Sequence, residues 1–201
     1  MKIFILRHED RTQDASFFSP LTRTGLDNAV NLIDSLEKAN ITHIYSSPYI
    51  RTLQTVYPFS KKSGIKIKLE YSLSEINHPD LIAKNSNGVR LPEYMSDLFN
   101  YDRNYTSQLD TENIKYPEAE TDVELRIKNF LKSIIMQHGK NDDNILLVSH
   151  QVICSNILKI VSKTVLVNKE SILNYQKGAL TLVFENLDWT FKPINWKVKD
   201  K

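Results

Sequence analysis

Two short, unbroken apolar runs, Ile3-Phe4-Ile5-Leu6 and Ile145-Leu146-Leu147-Val148, constrain this chain more than any other feature. Four residues are too few for a helix, and a run without polar alternation has no face to offer water. Each therefore reads as a strand covered on both sides, in the middle of a parallel sheet flanked by helices. The pattern between them agrees. Residues 26–40 set Leu26, Val30, Ile33 and Leu36, or Ala29, Ile33 and Leu36, at helical spacing. Residues 41–45 and 66–69 read as strands, with a helix opened by Pro48 running to about residue 62 between them. Residues 122–138 and 152–162 supply further helices, 179–185 a strand, 189–196 an edge hairpin and 197–201 a solvated tail. The expected fold is α/β, a three-layer α/β/α sandwich with a central, mostly parallel sheet. Residues 76–120 show no sustained periodicity beyond 94–99 and read as an inserted lid within a single domain spanning 1–201.

Charge and cysteine content narrow the function classes. The 26 basic and 24 acidic residues leave a formal charge of +2, too balanced for binding nucleic acid through bulk electrostatics, so an anion site must be local. Cys154 is the only cysteine, which excludes an internal disulfide and a multi-cysteine zinc site, and its apolar neighbours predict a buried thiol. The N-terminal apolar run is too short for a signal-peptide core, and no stretch is long enough to span a bilayer. The expectation is a cytoplasmic chain with no membrane or nucleic-acid partner, no cofactor and no bound metal.

In open parallel sheets ligands bind beyond the carboxyl ends of the strands. Arg7-His8 follows the first central strand directly, and Ser149-His150 follows the later one, so the two histidines should meet at one sheet edge. The strand before residue 46 leads to Arg51 near a helix N-terminus, where backbone N–H groups favour anions. Leu73-Ser74-Glu75 places a carboxylate at the corresponding level after the next strand. His43 and His138 read as structural. His78 reads as a lid residue near the substrate, because the lone Glu75-x-x-His78 lacks the second copy a di-iron site needs. Other phosphate chemistries lack their signatures: Ile160 stands where a cysteine phosphatase needs arginine, and neither Asp-x-Asp nor Gly-Lys-Ser/Thr occurs.

The ordered set Leu6-Arg7-His8, Pro20-Leu21-Thr22-Arg23-Thr24-Gly25, Ser46-Ser47-Pro48-Tyr49-Ile50-Arg51-Thr52, Leu73-Ser74-Glu75 and Val148-Ser149-His150 resembles the histidine phosphatase superfamily, which includes the phosphoglycerate mutases. The resemblance implies phosphoryl transfer through a phosphohistidine on His8. Arg7, Arg51 and His150 would hold the phosphoryl oxygens, and Glu75 would protonate the leaving group. Glu118-Ala119-Glu120-Thr121 keeps only part of the Gly-Glu-Ser with which members often start the acid-bearing helix, and two further positions depart from the pattern. Glu9 stands where the family has glycine, which leaves three readings: backbone strain, repulsion of phosphate, or a carboxylate turned aside toward Arg11 or toward cationic substrates. Asp14 falls at a phosphate-touching asparagine. The expected activity is a metal-independent phosphomonoesterase. The alternatives are a phosphoglycerate mutase-type phosphotransferase and a catalytically impaired relative that binds phosphorylated ligands. A phosphorylated small molecule is the expected partner and a phosphoprotein the other class, with the oligomeric state left open.

Overall fold

The computed structural model describes residues 1–81 and 89–194. Lys84 of the expected lid, Trp196 at the end of the expected hairpin and the tail 197–201 lie outside the described residues. Six strands form one sheet: β1 Lys2–Arg7, β2 His43–Ser46, β3 Ile67–Leu69, β4 Asn144–Ser149, β5 Leu180–Glu185 and β6 Asp188–Ile194. Their order is β3-β2-β4-β1-β5-β6. The pairings from β3 to β1 are parallel and the two involving β5 are antiparallel. The two apolar runs thus lie side by side in the middle of the sheet. Asn186 and Leu187, both at positive φ, make the tight β5–β6 turn.

The alternation of side chains along these strands divides the interior in two. Ile3, Ile5, Ile145, Leu147 and Val183 face one layer. Phe4, Leu6, Leu146, Val148, Leu180 and Leu182 face the other. The first layer is covered by α5 (Glu120–His138) and α6 (Gln151–Val161), the second by α2 (Ile33–Lys38) and α3 (Ile50–Ser63), with α1 (Arg23–Asn31) packed on α3. The short helices α4 (Ser96–Phe99) and α7 (Lys169–Leu173) complete the set among the described residues. Among the described residues no helix is long and apolar enough to cross a membrane.

The helix expected over 26–40 begins earlier, where the Thr22 hydroxyl accepts the Gly25 N–H as a cap, and it divides at Leu32. Of the two stripes offered by the sequence, the one through Ala29, Ile33 and Leu36 faces inward. Gly25, Ala29, Leu32 and Leu36 point inward, while Leu26 and Val30 face solvent. Gly25 decides this register: a Cβ there would stand 2.1 Å from the Asp10 carbonyl oxygen, so only glycine lets α1 approach the loop after β1.

The described part of the insertion docks on the sheet edge. Tyr101 bridges Ile67 of β3. The buried Glu70 carboxylate accepts hydrogen bonds from Tyr105 (2.6 Å), Ser107 (2.8 Å) and the Gln108 N–H (3.1 Å). An edge that would otherwise offer unpaired backbone groups is thereby covered. At the opposite ends of the strands, His138 Nδ1 meets Asp143 at 2.7 Å and its Nε2 meets the Tyr45 hydroxyl at 3.1 Å, tying α5 to β2 and to the loop before β4. His43 lies against this cluster, its ring centroid 4.6 Å from that of His138.

Candidate active site

Strand register brings the charged residues together. Arg7 is level with Ser149 and Ser46 with Val148. The His8 N–H then donates to the Ser149 carbonyl (2.9 Å), and the Ser47 N–H to the Val148 carbonyl (3.0 Å). The Ser149 hydroxyl donates to the Leu73 carbonyl at 2.6 Å, so the segment leading from β3 to Glu75 is fastened at the same level.

His8 is almost wholly buried, and its Nδ1 lies 2.7 Å from its neighbour's carbonyl, the Glu9 main-chain oxygen. A carbonyl only accepts, so Nδ1 carries the proton and Nε2 keeps its lone pair. Burial, with Arg51 adding to it, holds the imidazole pKa down at about 3. The ring is therefore neutral at physiological pH. His150 caps α6, and its ring centroid lies 5.3 Å from that of His8. Its Nε2 is 2.8 Å from the Ser47 hydroxyl, while Nδ1 faces Glu75 Oε2 at 3.7 Å. Burial first, then Arg51, holds it well below the usual histidine range.

Both arginines are held by backbone carbonyls, which leave part of each guanidinium free. Arg7 donates to the Tyr175 carbonyl and Arg51 to that of Ser16 at 2.8 Å. Arg51 also lies over the Tyr49 ring, 4.6 Å from its centroid. Burial lowers the pKa of both, Arg51 to about 10, and both remain cations at neutral pH. Among the described residues, Arg7 Nε, Arg51 Nε and His150 Nδ1 are buried without a hydrogen-bond partner. Arg7 and Arg51 thus leave N–H donors unsatisfied at one sheet edge, suited to the oxygens of an anion, with His150 Nδ1 as a third donor when Nε2 accepts from the Ser47 hydroxyl. Glu75 has its pKa raised by burial, with Arg51 opposing the rise. A carboxyl protonated above its ordinary range can donate a proton.

Of the readings offered by the sequence, the structure bears on two: Glu9 carries no backbone strain, and its carboxylate is turned aside, though not toward Arg11. It is absent from the positive-φ residues, so the backbone carries no left-handed strain. Its carboxylate is turned toward Gly178 and accepts from Asn28 at 3.2 Å, whereas Arg11 bonds the Thr12, Gln13 and Asp14 carbonyls. Its charged neighbours are Asp10 and Lys177. Asp14 turns into its own loop, accepting from the Thr12, Ser16 and Ser19 hydroxyls. His78 is exposed and pairs with Asp80 at 3.4 Å. Ser47, Tyr49 and Tyr175 support the site without having been singled out in the sequence. Ser47 had a signal, its place directly after β2.

Gly178 at φ +64° fits Glu9, because a Cβ at position 178 would stand 1.9 Å from Glu9 Oε1. Gly178→Ala is therefore expected to destabilise the fold by about 3 kcal/mol, from left-handed strain and overpacking together. Adding Glu9→Gly should recover roughly half of that, measured by chemical denaturation of both single variants and the double. Additive losses would show that the two positions do not meet.

A family model described as histidine phosphatase superfamily (branch 1) matches residues 7–197. No curated protein matches the chain in sequence. Among solved structures, the ecdysone phosphate phosphatase from Bombix mori, in complex with tungstate, aligns at TM-score 0.73 and 16% identity, over 96% of this chain and 92% of the other. A phosphoglycerate mutase from Bacillus anthracis str. Sterne aligns at 0.67 and 20% identity, over 96% and 92%. The alpha-ribazole phosphatase from Shigella flexneri aligns at 0.64 and 17% identity, over 98% and 96%. At these identities the likeness is one of fold.

Proposed function

The chain belongs to the histidine phosphatase superfamily, and from that premise we propose that it is a metal-independent phosphomonoesterase working through phospho-His8. The observation that carries this reading is the set of unpartnered buried nitrogens on Arg7, Arg51 and His150 around a neutral His8. His8 Nε2 attacks phosphorus, the bond to the leaving oxygen breaks, and Glu75 gives that oxygen its proton. Water then attacks the phosphohistidine, Glu75 takes the proton back, and the P–N bond returns its electrons to His8. Arg7, Arg51 and His150 stabilise the charge that spreads over the phosphoryl oxygens. The substrate class is a phosphorylated small molecule, and the described residues of the insertion, 76–81 and 89–120, serve as the lid of one domain.

A mutase must shield its phosphoenzyme and return the group to a polyanion, which calls for free cations in the lid. Among the described residues of the lid, Arg90, Arg103 and Lys115 are instead paired with Asp110 (3.0 Å), Asp97 (3.2 Å) and Asp122 (2.6 Å), which supports hydrolysis. The test is turnover of p-nitrophenyl phosphate with a chelator present. Phosphate release insensitive to the chelator is the expected result. Isomer exchange between 2- and 3-phosphoglycerate without net release would assign the mutase reaction, and phosphate binding without turnover the impaired one.

The acid can be separated from the nucleophile. With Glu75→Gln, kcat/KM for an alkyl phosphate is expected to fall about 1,000-fold, but less than about 10-fold for p-nitrophenyl phosphate, whose leaving group needs no proton. In the unmodified protein, alkyl phosphate turnover should decline as pH rises through the elevated Glu75 pKa. That alkaline limb should be missing in Glu75→Gln, and its persistence would assign the acid elsewhere.

A further inference from the structure

We infer that Arg126 is the positioning residue for the Glu75 acid, acting from α5 through a buried clamp shared with Glu118. The inference rests on the phosphatase reading above and adds a residue that no motif marks. Arg126 Nε and Nη2 donate to Glu118 Oε1 and Oε2 at 2.6 and 3.1 Å. The same guanidinium donates to the Ser72 carbonyl at 2.6 Å and the Ser74 carbonyl at 3.0 Å. The intervening Leu73 carbonyl is held by the Ser149 hydroxyl, immediately before His150. Beyond Glu75, the Asn77 N–H donates to Glu118 Oε2 at 3.2 Å, and the Glu118 N–H donates to the Asn77 carbonyl at 2.8 Å.

The backbone on both sides of Glu75 is thus pinned, and the pins converge on one ion pair. Both of its side chains are nearly solvent-free, 6% exposed for Arg126 and 2% for Glu118. Burying such a pair costs desolvation of two charges, and apolar residues of similar volume often serve stability as well. What an apolar pair cannot do is fork to carbonyls two residues apart, a task that suits the planar guanidinium and not an ammonium. A proton donor placed 1 Å off can lose on the order of 100-fold in rate. Holding the backbone around Glu75 leaves its carboxyl 3.7 Å from His150 Nδ1, beside the nitrogens assigned to phosphate.

The experiment compares kcat/KM for an alkyl phosphate and for p-nitrophenyl phosphate in the unmodified protein, Arg126→Lys and Glu118→Gln, with circular dichroism to establish folding. Misplacing the acid harms only the substrate that needs a proton. Arg126→Lys is expected to lose roughly 30-fold on the alkyl ester and less than about 3-fold on the nitrophenyl ester. Glu118→Gln should show the same asymmetry at smaller size, and it carries the test if Arg126→Lys does not fold. Equal losses on both esters in a folded variant, or no loss on either, would overturn the inference. An unmodified protein that turns over neither ester would instead sink the phosphatase reading, and the inference with it.

Discussion

Replacing His8 by alanine is expected to lower phosphatase turnover by roughly 100,000-fold or more, to background. The change removes the nitrogen proposed to attack phosphorus and leaves the arginines in place, so phosphate should still bind. Among the described residues the imidazole bonds its neighbour's carbonyl alone, and the backbone N–H that anchors position 8 to Ser149 is unaffected. The variant should therefore fold, with a melting temperature within a few degrees of the parent, and should no longer retain label from a phosphoryl-labelled substrate after acid-free quenching. Turnover within 10-fold of the parent would mean that another group is the nucleophile.

Arg51→Met is the second large effect. Two unit charges about 4 Å apart interact by about 4 kcal/mol at an effective dielectric near 20, which corresponds to nearly 1,000-fold in kcat/KM when a buried guanidinium is withdrawn from the phosphoryl oxygens. Arg51 is also the second cause of the low His8 pKa, after burial. Removing it should raise the His8 pKa from about 3 while leaving it below the free imidazole value, because burial remains. A histidine NMR titration measures this directly. The stability consequence has a definite sign. The folded pKa is depressed, so below about pH 6.5 the unfolded chain binds more protons, and stability drains away as pH falls toward the folded value. Arg51→Met narrows that acid window from its lower end. An unmoved His8 titration would show that Arg51 does not face the nucleophile. Arg51→Lys should recover only part of the rate, since an ammonium cannot hold the Ser16 carbonyl and fork to phosphate together.

The local rules behind these expectations were largely legible. Residues 3–6 and 145–148 had no polar face, and burial on both sides followed, with Arg7-His8 and Ser149-His150 necessarily at the carboxyl edge. The helix at 26–40 was less legible. Its apolar residues fit more than one stripe, and the inward face was chosen by a backbone contact between Gly25 and Asp10 that periodicity does not register. Glu9 shows the same limit from the other side. As a letter it threatened strain or repulsion, but its direction is decided by the room above Gly178, 169 positions later, and by Asn28 on α1.

By itself, then, the sequence determined the fold class, the sheet edge at which Arg7, His8, Glu75 and His150 emerge, and the helix start that bears Arg51. These follow from strand and helix periodicity, which short-range sterics and burial impose on neighbouring residues. Only the tertiary structure decided which groups are left without partners and which are held still. Burial is a property of the whole assembly: it keeps the His8 ring neutral, raises the Glu75 pKa, and joins Arg126 to carbonyls 52 and 54 positions away.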